Sequence, residues 1–325
     1  MTKSFALGFD GVCRILLAVA ALASLLAACD LDDSPEYRLT LALDFQPNAV
    51  HAGIYSTMRE VNDGDLLELD IRVPSSSTDS LKLLEAERAD IAVVDIHDLG
   101  LARERGADLV GLGAVVQRPL AAVIARPGVR RPRELEGKRV GVTGLPSDEA
   151  LLRAVVEHDG GDFDRVDRVT IGFSAVPSMV AGRVDAVVSF WNAEGVALRE
   201  RGVPTREFRV DGYGAPRYPE LVFVVRRESL RQIGEELANL LVTLRDGTRA
   251  ALASPATAVE DVAEASGADE ELVRAQFEAV APAFRPLVKL DREALEQWAE
   301  FDARFGILER PPRVREAFRV GFPGP

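Results

Sequence analysis

The chain has 325 residues, a formal net charge of −13 and only two cysteines. No Lys/Arg-rich block stands out against that acidic excess, which argues against a nucleic-acid-binding surface. Cys13 and Cys29 cannot supply a disulfide framework or a cysteine metal cluster. The fold must therefore rest on a large apolar core, and the length suffices for two α/β lobes.

Lys3 and Arg14 precede an uncharged run, Ile15–Ala28, that ends in small residues before Cys29. This is the pattern of a secretory signal peptide, and the run is shorter than the ~20 residues that span a bilayer. The segment Leu26–Cys29 resembles a bacterial lipobox, in which the Cys is lipidated and becomes the new N-terminus. Residues 1–28 are thus expected to be removed and Cys29 to anchor the chain by lipid to the outer face of the cytoplasmic membrane. Residues 29–36 read as a short polar tether.

From there strands and helices alternate. Tyr37–Leu43 reads as a strand, Asp44–Asn48 as a turn and His51–Asn62 as a helix. Leu67–Val73 is a second strand, and Pro74–Asp79 is a loop that offers Ser or Thr as the cap of a helix over Leu81–Arg88. Ile91–Val94, Leu109–Val116, Ala121–Ala125, Arg139–Thr143, Arg168–Gly172, Ala186–Ser189 and Leu221–Val225 read as further strands. A helix runs from the Gly144–Asp148 turn to about His158, and a short one covers Ser178–Ala181. Beyond Leu230 the pattern is helical, with Trp298, Phe301 and Phe305 on one buried face.

This alternation predicts α/β lobes with mostly parallel sheets. In such sheets ligands bind beyond the carboxyl ends of strands. Asp44–His51, Ser75–Asp79, Asp95–Asp98, Thr143–Asp148 and Ser189–Glu194 all follow predicted strands. Ala121–Ala125 and Leu221–Val225, each preceded by Pro, read as hinge strands. The expected division is a discontinuous first lobe, 37–125 with 221–325, around a second lobe, 126–220.

The segment Leu43-Asp-Phe-Gln-Pro-Asn-Ala-Val-His-Ala-Gly-Ile-Tyr55 resembles the opening signature of the thiamine-pyrimidine-precursor binding proteins of bacterial ABC importers. Asp44, Pro47, Asn48, His51, Gly53, Ile54 and Tyr55 match that signature, and Phe45 stands where the family usually has Trp. Phe190-Trp-Asn-Ala-Glu194 looks like the family's Trp-Asn-x-Glu segment. Arg88-Ala-Asp-Ile91 and Ala181–Ala186 look like its repeated basic-x-Asp turns. The resemblance implies a two-lobed type II periplasmic-binding-protein fold and delivery of a small molecule to ABC permease subunits.

The residue chemistry suits a flat nitrogen heterocycle, which takes an aromatic face and directional polar groups around its edge. Phe45, Tyr55 and Trp191 are candidates for the ring face, with Phe45 and Tyr55 equally readable as core. Asn48, Asn192 and His51 offer donors and acceptors, although His51 also reads as a helix N-terminal residue. Asp44, which also reads as a turn cap, and Asp95 are further polar candidates. Glu194 is expected to accept from ring or exocyclic N–H groups. Ser76, Ser77 and Thr78 at a helix start, with Ser147, are expected to meet a polar edge. His97 is expected to line the cleft or cap a turn. Riboflavin, or an anion such as a sulfonate or nitrate, is the alternative ligand.

A eukaryotic branch of the same superfamily makes the thiamine pyrimidine from pyridoxal phosphate and one of its own histidines. It carries a Lys four residues before that His and a Cys-rich cluster. His97 falls at the corresponding place, but Val93 stands where the Lys would be, and Val forms no Schiff base. The chain also lacks hydrolase and P-loop motifs. The expectation is a monomeric binding protein with no cofactor, no metal and no catalytic residue; an exported enzyme is the remote alternative.

Overall fold

The computed structural model describes residues 37–62, 67–76 and 78–322. The signal segment, Cys29 and the tether lie outside the described residues, as does Ser77. In chain order the strands are β1 (Tyr37–Ala42), β2 (Leu67–Arg72), β3 (Ile91–Asp95), β4 (Leu109–Ala114), β5 (Ala121–Ala125), β6 (Arg139–Val142), β7 (Asp167–Thr170), β8 (Ala186–Phe190), β9 (Arg206–Arg209) and β10 (Leu221–Arg226). The principal helices are α1 (Ala52–Asn62), α2 (Asp79–Glu85), α3 (Ile96–Glu104), α4 (Pro146–His158), α5 (Ala175–Val180), α6 (Glu194–Glu200), α7 (Gly234–Ala253), α8 (Pro255–Ser266), α9 (Glu270–Val280) and α10 (Arg292–Arg304).

The strands form two five-stranded sheets of matching plan, β2-β1-β3-β10-β4 and β7-β6-β8-β5-β9. Each carries one strand that has arrived from the other sheet: β10 in the first, β5 in the second. Both guests run antiparallel to their neighbours, while the native strands pair in parallel. The sheets are therefore mixed rather than mostly parallel. The physical reason is the connection, because a chain crossing from the other sheet enters from the opposite end to one returning through a local helix. The core strands β3, β4, β5 and β10 are apolar runs buried on both faces, as strands between two helical layers must be.

The two sheets also share a turn device. Asp90, before β3, accepts from the Thr40 amide on β1 at 2.8 Å, and Asp185, before β8, accepts from the Arg139 amide on β6 at 2.9 Å. These are the basic-x-Asp turns of the sequence. Each carboxylate accepts from a backbone amide of the neighbouring parallel strand.

Three elements depart from the sequence reading. Asp95–Asp98 is not a loop: Asp95 caps α3, accepting from the His97 amide at 2.8 Å. The helix α6 and the strand β9 follow the Trp191 segment, where neither a helix nor a strand was read. Finally, β5 and β10 are interior strands, not free hinges. The chain crosses between sheets at residues 115–120 and again at 210–220, immediately ahead of each predicted hinge strand. Among the described residues no helix is long and apolar enough to cross a membrane.

Candidate ligand-binding cleft

A cleft of about 980 Å³, water at its mouth included, opens between the two sheets. Its walls come from the carboxyl ends of strands and the segments that follow. The first sheet contributes Asp44, Phe45 and Asn48 after β1, and Asp95 and Asp98 at β3–α3. The second contributes Thr143, Ser147 and Asp148 after β6, Phe173 after β7, Ser189 and Phe190 at the end of β8, and Glu194 after it. Glu220, at the second crossing, completes the floor. No Lys, Arg or His is among the described residues that line it.

Across the cleft the lobes already touch. Phe45 and Phe173 meet edge-to-face with ring centroids 4.4 Å apart, a favourable aromatic geometry. The Ser147 hydroxyl donates to Asp98 at 3.1 Å, and Gln276 on α9 donates to the Ala193 carbonyl at 3.3 Å.

The acids are the dominant electrostatic feature. Burial raises Glu194 to about 7, and the nearby Asp44 and Asp148 charges add to that. Asp98 rises to about 7 by burial and by facing Asp148, which is itself raised to about 6 by burial. Burial raises Glu220 to about 7, against the pull of two backbone N–H donors. Asp95 is raised well above the carboxylate range by burial, with Glu220 and Asp98 as like-charged neighbours. Like charges in a desolvated site hold protons more tightly, so at neutral pH this cleft is a set of partly protonated carboxyls.

Of the expected site residues, Asp44, Phe45, Asn48, Asp95, Ser147 and Glu194 line the cleft. Glu194 begins α6, and its Oε2 accepts from the Phe190 amide at 3.2 Å. The remaining members are engaged elsewhere. His51 is fully buried under the signature turn. Its Nδ1 accepts from the Asn48 amide at 3.2 Å, so its proton sits on Nε2, which donates to Asp44 at 2.9 Å. His51 thereby orients Asp44 without lining the cleft. Asn48 caps the same turn, its Oδ1 accepting from the Val50 amide at 3.0 Å. Tyr55 is buried in the apolar core, which pushes its hydroxyl up to about 12.

Ser76 does not present its hydroxyl to the cleft, because it donates to Asp79 at 2.6 Å. The Ser75 hydroxyl donates to Asp79 as well, at 2.5 Å, and with the Ser76 hydroxyl and the two backbone amides it holds the Asp79 carboxyl at about 2. Thr78 occupies the cap position of α2 but makes no side-chain cap bond. Trp191 is not a cleft wall. It is 3% exposed, its indole donates to the Pro119 carbonyl at 3.1 Å, and the Arg209 guanidinium covers its ring at 4.1 Å. Asn192 is fully buried, and neither of its amide atoms has a partner among the described residues.

His97 lies behind the floor, not on it. Its Nδ1 meets Asp302 on α10 at 2.7 Å and its Nε2 meets the Tyr218 hydroxyl at 3.0 Å. Burial opposes charge on this ring, but the Asp302 carboxylate beside it outweighs that and lifts it to about 9. The Trp298 indole N–H also points at Nδ1, at 3.2 Å, so His97 is held from three sides behind the acids.

Sequence reading missed Asp98, Thr143, Asp148, Phe173, Ser189 and Glu220 as cleft residues. Asp98, Thr143, Asp148 and Ser189 fall inside segments already placed after strands. Phe173 and Glu220 had no such signal, since one follows the edge strand β7 and the other sits on a crossing.

The comparisons with known proteins agree with this geometry. Residues 64–258 match a family model described as NMT1/THI5 like. A formylaminopyrimidine-binding protein of Halalkalibacterium halodurans is 33% identical over 233 residues, 70% of each chain. The alkanesulfonate-binding protein SsuA of Xanthomonas axonopodis pv. citri, solved with MOPS bound, superposes with a TM-score of 0.72 at 18% identity, covering 88% of this chain and 99% of that one. A Candida albicans protein described as having the generic periplasmic binding protein fold gives a TM-score of 0.67 at 14% identity, over 87% and 96% of the two chains.

Proposed function

From the premise that this chain belongs to the NMT1/THI5-like family, we propose that it is the extracytoplasmic solute-binding protein of an ABC importer, and that its solute is a thiamine pyrimidine precursor. The relative from Halalkalibacterium halodurans, named for formylaminopyrimidine, supports the pyrimidine class. The observation that carries the reading is the lining of the cleft: carboxyls and phenyl rings, with no basic side chain among the described lining residues.

An aminopyrimidine presents a flat apolar face and a rim of N–H donors and ring nitrogens. The Phe45–Phe173 pair offers the face, and Glu194, Asp44 and Asn48 offer the rim partners. A sulfonate or nitrate would instead meet six carboxyls and no basic side chain among the described lining residues, at a cost in like-charge repulsion. The cleft thus favours the heterocycle over the anion, although the sulfonate binder shares the fold.

The proposal extends to the N-terminus. The lipobox-like Leu26–Cys29 supports export, removal of residues 1–28 and a lipid anchor on Cys29. Intact mass after expression in a lipoprotein-processing bacterium would then match residues 29–325 plus lipid. A full-length unmodified chain contradicts the anchor.

A thermal-shift panel on the purified chain tests the ligand class, with aminopyrimidines, thiamine, riboflavin, taurine, alkanesulfonates and nitrate. A ligand at 100 times its Kd adds about 2.7 kcal/mol to the folded state. An aminopyrimidine is expected to raise Tm. A shift with riboflavin, a sulfonate or nitrate and none with any aminopyrimidine overturns the assignment.

A further inference from the structure

Glu220 is fully buried, lines the cleft and sits at the end of the second crossing. Its two carboxyl oxygens have different surroundings. Oε2 accepts from the Leu120 amide at 2.7 Å, at the end of the first crossing, with the Ala121 amide further off at 3.4 Å. The Glu220 carbonyl accepts from the Ile96 amide at 2.9 Å. This one residue therefore ties both crossings to the start of α3. Oε1 has no N–H or O–H donor among the described residues. What it faces is another acid: oxygens of Asp95 and Glu220 lie within 4.8 Å of each other and of a His97 ring nitrogen.

Two buried carboxyls facing each other need either a proton between them or a cation. The His97 ring donates to neither carboxyl, because its two nitrogens are held by Asp302, Trp298 and Tyr218. On the open side stands Asp98, with Asp148 opposite it on α4, and no basic group lines the cleft there.

We propose that the Asp95–Glu220 pair is the receptor for a protonated amine of the ligand, and that Glu220 carries this contact directly to both inter-lobe crossings. The inference rests on reading the cleft as a pyrimidine site, and it adds the charge state of the preferred ligand. The ammonium replaces the proton shared by the pair, and that proton leaves to solvent. Because the Glu220 oxygen on the far side already holds the Leu120 amide, seating the cation stiffens the two crossings together. Buried His97, Tyr218 and Asp302 back the pair from behind and keep their own bonds.

The test is calorimetric titration with two derivatives of one aminopyrimidine, one carrying an aminomethyl group and one a hydroxymethyl group. The first is a cation at neutral pH and the second is neutral. Wild type is expected to favour the aminomethyl form by about 10–100-fold. Its binding enthalpy should differ between phosphate and Tris buffers, reporting proton release, and its affinity should rise between pH 6 and 8. Glu220→Gln keeps an acceptor for the Leu120 amide and removes the charge. That variant should lose most of the preference for the aminomethyl form. Asp95→Asn, which can still cap α3, should lose the same preference and serves as the readout if Glu220→Gln does not fold.

Equal affinities for the two forms in wild type overturn the proposal and leave the pyrimidine reading standing. Loss of both forms alike in the variants, with the preference intact, also overturns it, by assigning Glu220 and Asp95 to scaffold alone. If neither form binds wild type, the pyrimidine reading falls and the proposal with it.

Discussion

Two acid-bearing regions of the first sheet meet the cleft, and they are built on opposite principles. In the signature turn the side chains are linked in a chain: Asp44 takes the His51 proton, His51 takes the Asn48 backbone amide, and Asn48 takes the Val50 amide. On the cleft floor Asp95, Asp98 and Glu220 lie near one another and Asp148. The turn holds its acid without a ligand. On the floor Glu220 Oε1 has no donor among the described residues, and a ligand with N–H groups supplies one. Distinctive sequence and unfinished chemistry thus lie in different places.

The largest expected effect breaks the scaffold side of this comparison. Helices α1 and α7 cross at Gly53 and Gly247, where a Cβ on Gly247 would stand 2.7 Å from the Gly53 carbonyl and a Cβ on Gly53 would stand 2.9 Å from the Thr248 backbone. Backbone cannot yield as a flexible side chain does. Gly247→Ala should destabilise the fold by about 3 kcal/mol, within the range for overpacked cores, as measured by urea unfolding. A loss under about 0.5 kcal/mol would mean that the helices separate easily. Gly53 of the signature is therefore a packing residue.

Glu194→Gln sharpens the cleft side. It should weaken aminopyrimidine binding by roughly 2–3 kcal/mol, or about 30–150-fold, with little change in Tm. Unchanged affinity by calorimetry would remove Glu194 from the recognition of the ring edge. Asn48→Ala should cost about 1 kcal/mol of folding stability through the lost cap. The backbone amide that holds His51 survives the substitution, so Asp44 should keep its His51 partner. A neutral effect on both stability and affinity would detach the turn from the cleft.

The smallest effect is on the pH dependence of the ligand-free protein. Asp98, Glu194 and Glu220 titrate at about 7 when folded and Asp148 at about 6. The unfolded chain releases these protons near pH 4. Proton uptake on folding therefore stabilises fully below the unfolded values, and that contribution disappears as pH rises through 6 to 7. His97, at about 9 when folded, acts in the same direction at higher pH. Tm without ligand should drop between pH 5 and 8. Saturating aminopyrimidine should flatten that slope. A rising slope would contradict the buried-acid account.

How much was legible follows from the same contrast. Alternating apolar strands and helices are set by burial, which repeats along a chain, so the two-lobed α/β plan could be read directly. The direction of β5 and β10 could not, because it depends on where a crossing enters a sheet and not on any local pattern. Trp191 and His97 are conspicuous residue types, yet Arg209 covers one and Asp302 and Tyr218 hold the other. Nothing at positions 191 or 97 announces partners that lie far away in sequence. Glu220 looks like one acid among many, and only its place between two crossings gives it a role.

The central claim is that the cleft receives the nitrogen-bearing edge of a flat heterocycle on its carboxyls. A crystal structure of the chain with an aminopyrimidine bound tests this most directly. The account predicts the ring against the Phe45–Phe173 pair, with an exocyclic or ring N–H about 2.7–3.1 Å from a carboxyl of Glu194 or of the Asp95–Glu220 pair. A ring bound outside the cleft, or one whose N–H groups meet only water and backbone while the carboxyls stay apart, contradicts it.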